Sequence, residues 1–234
     1  MTRTATSILL GADAPRVLTV PMIAAALAHK RKKAARGTLF RWIRAQTENG
    51  TLRPVTRGLY INQMARPLPS AAEAAGYVRS GAIVSLQTVL GDAGVTNSYS
   101  DIITSVLPIR SGSASSSRPV LADKIEFRFH AMPVRLLDDQ AGALEDRMDL
   151  NVLYARATPE KALLDWIYLG ASPRTKVSGP PLDIDLDRLN RPRLARLSKH
   201  MGLSSELKNY LARKRQYDKD PDVQANASVG VMRS

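Results

Sequence analysis

Between Gly37 and Ile61, in "GTLFRWIRAQTENGTLRPVTRGLYI", the apolar period changes from helical to strand-like, and arginine occurs in both halves. This switch constrains the fold more than any other feature of the chain, because no single element satisfies both a 3.6-residue and a 2-residue period. In the first half Leu39, Phe40, Ile43 and Thr47 fall within about a 100° arc and are expected to face a core, with Thr38, Arg41, Arg44 and Ala45 presented opposite. Trp42, at the edge of that arc, is expected in the core as well. Asn49-Gly50 ends the helix, since both residues tolerate the left-handed backbone needed there. "TLRPVTRGLYIN" then alternates as two short strands, Leu52 to Val55 and Leu59 to Asn62, joined at Thr56-Arg57-Gly58 with Arg57 at the tip. Pro54 cannot donate to a ladder, so its strand belongs at a sheet edge.

Upstream, "LTVPMIAAALAHK" offers Thr19 as a cap, Pro21 in the first turn, and Met22, Ile23, Ala26 and Leu27 on one face of a short helix. "KRKKAARG" follows as a basic turn where no apolar face uses Lys30, Arg31, Lys32, Lys33 and Arg36, which makes them phosphate-contact candidates. Two short helices and a basic-tipped hairpin are expected to form a winged helix-turn-helix over residues 1–64. The second helix would enter a major groove and the hairpin would touch phosphates or the minor groove. The candidate contacts to double-stranded DNA are therefore Lys30, Arg31, Lys32, Lys33, Arg36, Thr38, Arg41, Arg44, Arg53, Thr56 and Arg57. Whether Arg41 and Arg44 read guanine edges or grip the backbone stays open.

Charge supports this placement. The net +13 is segmental: residues 1–62 carry 11 Lys/Arg against Asp13 and Glu48, or +9, residues 63–170 carry −2, and residues 171–234 carry +6. A positive field concentrated on a patterned segment points to a polyanion partner. The middle of the chain has little reason to bind DNA by itself.

After Pro67 and Pro69, which mark a linker separating two units, a second domain of mixed α/β type is expected over residues 70–216, giving an α+β chain overall. A helix containing Ile83, Leu86, Val89 and Leu90 should end at Gly91 or Gly94. "DIITSVLPI" and "KIEFRFHAM" read as strands, the latter with Ile125, Phe127 and Phe129 inward and Glu126, Arg128 and His130 outward, separated by the polar loop "RSGSASSSRP". A further strand "NVLYARA" leads to the helix "TPEKALLDWIYLG", where Thr158 caps, Pro159 opens, and Leu163, Leu164 and Ile167 face inward. Glu160 and Asp165 are expected to favour the positive end of that helix, with Lys161 solvated. Two short helices, "RPRLARLSKHMG" and "SSELKNYLARKRQY", precede a tail over residues 217–234 expected to be disordered.

The order "TRGLYI", "SGAIVSLQTVLGDAGV", "ATPEKALLDWIYL" and "LDRLNRPRLARLSKHMG" resembles the AbiEi-type antitoxins of bacterial type IV toxin–antitoxin systems, across most of residues 15–203. Arg57, Gly58 and Tyr60 match that family's wing motif, and Pro159, Glu160, Lys161 and Asp165 match its helix. The resemblance implies a winged helix that represses its own operon, two copies occupying an inverted repeat, and a second domain that counteracts a nucleotidyltransferase-like toxin, direct contact not being required. The "KRKK" turn and the Ser-rich loop have no counterpart in that pattern. A stand-alone transcriptional regulator is the alternative.

A metal-dependent nuclease is the remaining alternative. Asp101 with Glu126-Phe127-Arg128 is a faint echo of a strand carboxylate followed by E-x-K, but arginine cannot replace lysine in a proton-linked role. His29, His130 and His200 stand alone, without a second ligand at metal spacing, and no phosphate loop or Ser/His/Asp order occurs. No enzyme activity and no cofactor are expected. Without cysteine, a signal segment or a membrane-length apolar run, the expected compartment is the cytoplasm, with no membrane partner.

Overall fold

The computed structural model describes residues 8–12, 14–28, 35–97, 101–109, 118–122, 125–137, 143–145 and 154–220. It is a mixture of helix and sheet in which two sheets lie in sequence order, a three-stranded one near the N-terminus and a four-stranded one beyond it.

Residues 8–10 are helical, and Leu9 and Leu10 are buried. Strand β1 (Val17–Thr19) runs directly into α1 (Val20–Leu27), whose first turn is capped by the Thr19 hydroxyl accepting from the Met22 amide at 3.4 Å. Helix α2 (Arg36–Glu48) follows, and β2 (Leu52–Thr56) and β3 (Leu59–Asn62) close the segment as a hairpin. The turn after α2 uses glycine where it must: Gly50 takes φ 75°, while Asn49 stays at φ −89° and binds Thr51 through its side chain. β1 pairs antiparallel with β3, so the sheet order is β1-β3-β2 and Pro54 sits on an edge strand as expected.

This sheet is apolar on both faces. Leu18 and Leu52, with Tyr60, pack under α1 and α2 together with Ile23, Leu39, Trp42 and Ile43. Val17, Val55, Leu59 and Ile61 point the other way, into the large core of the second unit. Alternation along β1 and β3 produces this division, alternation from Leu52 puts Val55 in the second set, and a bulge between Pro54 and Thr56 brings Thr56 opposite Leu59 on that same face.

The expected linker is correspondingly tied down. Ala65 and Pro69 are buried, and Ser70 and Glu73 form a capping box at a 3-10 turn (Ala71–Ala74) that runs into α3 (Ala75–Val78). Glu73 also accepts two bonds from Arg16, at 2.7 and 2.8 Å, and Arg16 donates to the Pro67 carbonyl.

The second sheet has the order β4 (Ile83–Val84), β5 (Ile102–Ile109), β7 (Ile125–Pro133), β6 (Val120–Ala122). β5 and β7 pair parallel from Ile102↔Glu126 to Ile109↔Pro133, and the outer pairs are antiparallel. Phe127 and Phe129 are fully buried, matching the inward set read from the sequence. Ile83 belongs to a strand rather than to the helix expected there: α4 (Leu86–Asp92) begins only after Ser85. Leu86 enters it at φ 54°, a conformation costly for a side chain with Cβ, and the bonds around Ser85 hold it there. The Ser85 amide donates to Thr104 O at 3.1 Å, and the Thr104 hydroxyl donates to Ser85 O at 2.7 Å. The strand expected at "NVLYARA" falls partly outside the described residues; within them, Arg156 and Ala157 make only isolated bridges, to Val84 and Leu144.

Helix α5 (Pro159–Ala171) forms as read, with the Thr158 hydroxyl accepting from Lys161 N and with Leu163, Leu164 and Ile167 buried. Lys161 corrects the expectation that it is solvated, and Glu160 and Asp165 are enclosed with it. Glu160, Lys161 and Asp165 are each at most 3% exposed. Lys161 Nζ donates to Asp165, whose other oxygen accepts from the Ser85 hydroxyl at 2.6 Å. Glu160 accepts from the Asn190 amide at 2.7 Å, which fixes the start of α6 (Arg191–His200). Gly170 admits the close pass of Gly179, since a Cβ there would lie 2.5 Å from its Cα. α7 (Ser204–Lys219) packs beside α6 and extends to Lys219, so residues 217–219 of the expected disordered tail are helical. No helix among the described residues is long and apolar enough to cross a membrane.

Candidate nucleic-acid interface

The presented face of α2 is where the sequence placed it. Leu39, Trp42 and Ile43 are 5–7% exposed and anchor the helix on the sheet. Arg36, Thr38, Arg41 and Arg44 are all exposed on the outside. Phe40 departs from expectation at 45% exposed, because Trp42 takes the core position and turns the buried arc toward itself. Arg36, expected in the basic turn, is the first residue of α2, and its guanidinium lies 5.7 Å from the Phe40 ring centroid. The exposed phenyl ring thereby supports a cation on the same surface.

Electrostatics separate the arginines further. The first turn of α2 carries no acidic residue and no side-chain cap, so among the described residues the helix itself does not offset its positive end. At the other end Glu48 accepts from Arg44 at 2.6 Å, one turn away, and this hydrogen bond pushes the Arg44 pKa still higher. Arg36, Arg41, Arg53 and Arg57 make no ion pair among the described residues.

The hairpin residues form a second group. Arg53 and Arg57 are exposed and Thr56 is half-buried. Arg53 pairs with Ile61 and Thr56 with Leu59, which places both on the sheet face turned toward the second unit, at its edge. α2 packs against β2, so the helix set and the hairpin set adjoin without sharing one face. Lys30, Arg31, Lys32, Lys33 and His29 lie outside the described residues.

The nuclease echo finds its glutamate engaged. Glu126 accepts from Arg128 at 2.8 and 3.0 Å, and these bonds hold its carboxyl below the usual carboxylate range. Asp101 is exposed and meets Glu126 only through its backbone carbonyl. No group of three or more potential metal ligands occurs among the described residues. Burial, and then Arg128, keep His130 below the ordinary histidine range.

Sequence reasoning missed the residues beside the hairpin tip. Tyr77 and Arg79, from the far side of the expected linker, line the same cleft as Thr56 and Arg57. Nothing in "GYVRSG" announces this, because the proximity comes from the packing of the two sheets. No protein-family profile matches the chain, and no curated protein sequence matches it either.

Proposed function

We propose that the chain is a DNA-binding antitoxin whose N-terminal unit is a winged helix-turn-helix that represses its own operon. The carrying observation is the outer face of α2, where Arg36, Thr38, Arg41 and Arg44 are exposed above a buried Leu39-Trp42-Ile43 seam. The order helical turn, β1, α1, α2, hairpin, with β1 closing on β3, is the arrangement that reading needs, and it supports α2 as the helix presented to a major groove. Arg57 at the turn suits a backbone contact beside it.

The antitoxin half of the proposal rests on the sequence resemblance. In the structure the matched residues Glu160, Lys161 and Asp165 are scaffold: they fix α6 and the β4–α4 junction. The work against a nucleotidyltransferase-like toxin is accordingly assigned to the second unit's surface rather than to those side chains. A nucleotidyltransferase-like frame beside the gene is expected, and its absence favours the stand-alone regulator.

The test is a gel-shift titration on the native promoter. Arg41→Ala is expected to cost about 1–3 kcal/mol of binding if it reads a base edge, and Arg44→Ala the same or less because Glu48 already engages it. Binding that survives both substitutions unchanged removes α2 as the recognition helix.

A further inference from the structure

We propose that Phe40 of α2 is a specificity-determining contact to DNA, its ring packing on the 5-methyl group of a thymine in the major groove. This rests on the DNA-binding reading of α2 and names a base that the helix selects through an apolar contact rather than through its arginines. The phase of α2 is set from beneath. Leu39, Trp42 and Ile43 take the places over the sheet, so the phenyl ring that lies between them in sequence is turned outward and stays 45% exposed. At four-residue spacing Arg36, Phe40 and Arg44 follow one another along one flank of the outer face, with Arg41 exposed beside them. Arg36 and Arg44 are separated by about 12 Å along the helix axis, and the ring lies midway.

The surroundings of the ring select among apolar partners. The Arg36 guanidinium stands over it, 5.7 Å from its centroid, and the first turn of α2 holds no acid. Glu48, the single acid of α2, is bonded to Arg44. The other large apolar side chains that are exposed among the described residues all lie outside α2. A protein partner is met by a contiguous apolar patch, whereas here one ring is set among cations. The major groove of B-DNA has the complementary arrangement. The thymine methyl is an apolar group on a floor otherwise made of hydrogen-bonding atoms, between two rows of phosphates, and phenylalanine is among the side chains that contact it.

The experiment uses the full-length protein and two promoter duplexes, one with thymine and one with deoxyuridine at every thymine position, which removes the methyl groups and keeps the hydrogen-bonding edges. Wild-type protein is expected to bind the thymine duplex at least about fourfold more tightly, the value of one buried methyl group. Phe40→Ala should lose that preference. Phe40→Leu, apolar but without a ring to carry the Arg36 cation, should keep most of it. Phe40→Gln is the second variant should Phe40→Ala fail to fold, and it should lose the preference likewise. Equal binding of the two duplexes by wild type, with Arg41→Ala weakening promoter binding, refutes the methyl contact and leaves the reading of α2 standing. A preference that survives Phe40→Ala, both duplexes weakening alike, makes the ring a support for Arg36 only and refutes the contact as well. If Arg41→Ala has no effect either, the DNA-binding reading fails first. A dimer of the free protein that Phe40→Ala dissolves, with the methyl preference unchanged, assigns the ring to a second copy of the chain and overturns the proposal.

Discussion

The cations of the interior and those on the outer face of α2 are the same residue types in different electrostatic roles. Arg16 and Arg156 have side chains 10% and 4% exposed, and each is held by carboxylates: Glu73 for the first, Asp92 and Glu145 for the second. Lys161 is enclosed with Asp165. Arg36 and Arg41 are exposed and make no ion pair among the described residues. A net charge counts both groups equally, yet only the second contributes to the field a polyanion meets. The interior cations instead decide whether the fold holds, because a charge removed from water is tolerable only with its partner in place.

The largest expected effect lies in the interior. Lys161→Met leaves Asp165 buried with only Ser85 to satisfy it and should destabilise the protein by about 3–5 kcal/mol in denaturant unfolding at neutral pH. Burial already pushes the Asp165 carboxyl up, against the opposing pull of Lys161 and Ser85, and the substitution removes the stronger opponent. A carboxyl with a raised folded pKa binds more protons in the native state. The variant's stability should therefore be greatest below the ordinary aspartate range and fall as pH rises through the raised value. A loss that is instead constant with pH would show that packing, not charge, dominates the site.

Glu73→Gln comes next. It removes the charge that holds Arg16 to the 3-10 turn and should cost about 1.5–3 kcal/mol in the same measurement, without touching α2. Arg41→Ala should sharpen the contrast from the other side, with stability within about 0.5 kcal/mol of wild type despite its loss of DNA binding. The smallest effect is expected from Glu48→Gln. It releases Arg44 from its one-turn partner, and promoter affinity measured at low salt should rise slightly.

Legibility in the sequence followed the range of the interactions involved. Thr158, Pro159, Leu163, Leu164 and Ile167 announced α5 completely, since a cap and a 3.6 period are local properties. The period also fixed the width of the buried arc of α2 but not its phase: whether Phe40 or Trp42 goes inside depends on the sheet beneath, which the helix does not encode. Lys161 read as solvated although Asp165 lies one turn away, because the enclosure of the pair comes from elsewhere in the chain: Ser85, which bonds Asp165, lies 80 residues from it, and Asn190, which bonds Glu160, lies 30 residues from it. The i,i+4 spacing of Lys161 and Asp165 is a local signal, but the burial of the pair is not. The arginines of α2 were recoverable as a surface, whereas Arg79 was not, for the same reason of distance. One overlooked signal was present. Val17-Leu18 and Leu59-Tyr60-Ile61 are continuous apolar runs rather than clean alternations, the pattern of strands covered on both sides.

That double covering determines where this chain can be cut and recombined. The prolines at 67 and 69 invite a crossover, but a chimera joining residues 8–64 to a foreign scaffold would carry Val17, Val55, Leu59 and Ile61 into water. Each such side chain gives up about 1.5–3 kcal/mol of burial, so the transplant loses most of a small unit's stability unless the recipient supplies a matching apolar surface. The segment that must travel together is thus larger than the proposed recognition surface, and if α2 reads DNA as proposed, a change of specificity is expected to come from replacing its outer residues while the wall beneath is inherited whole.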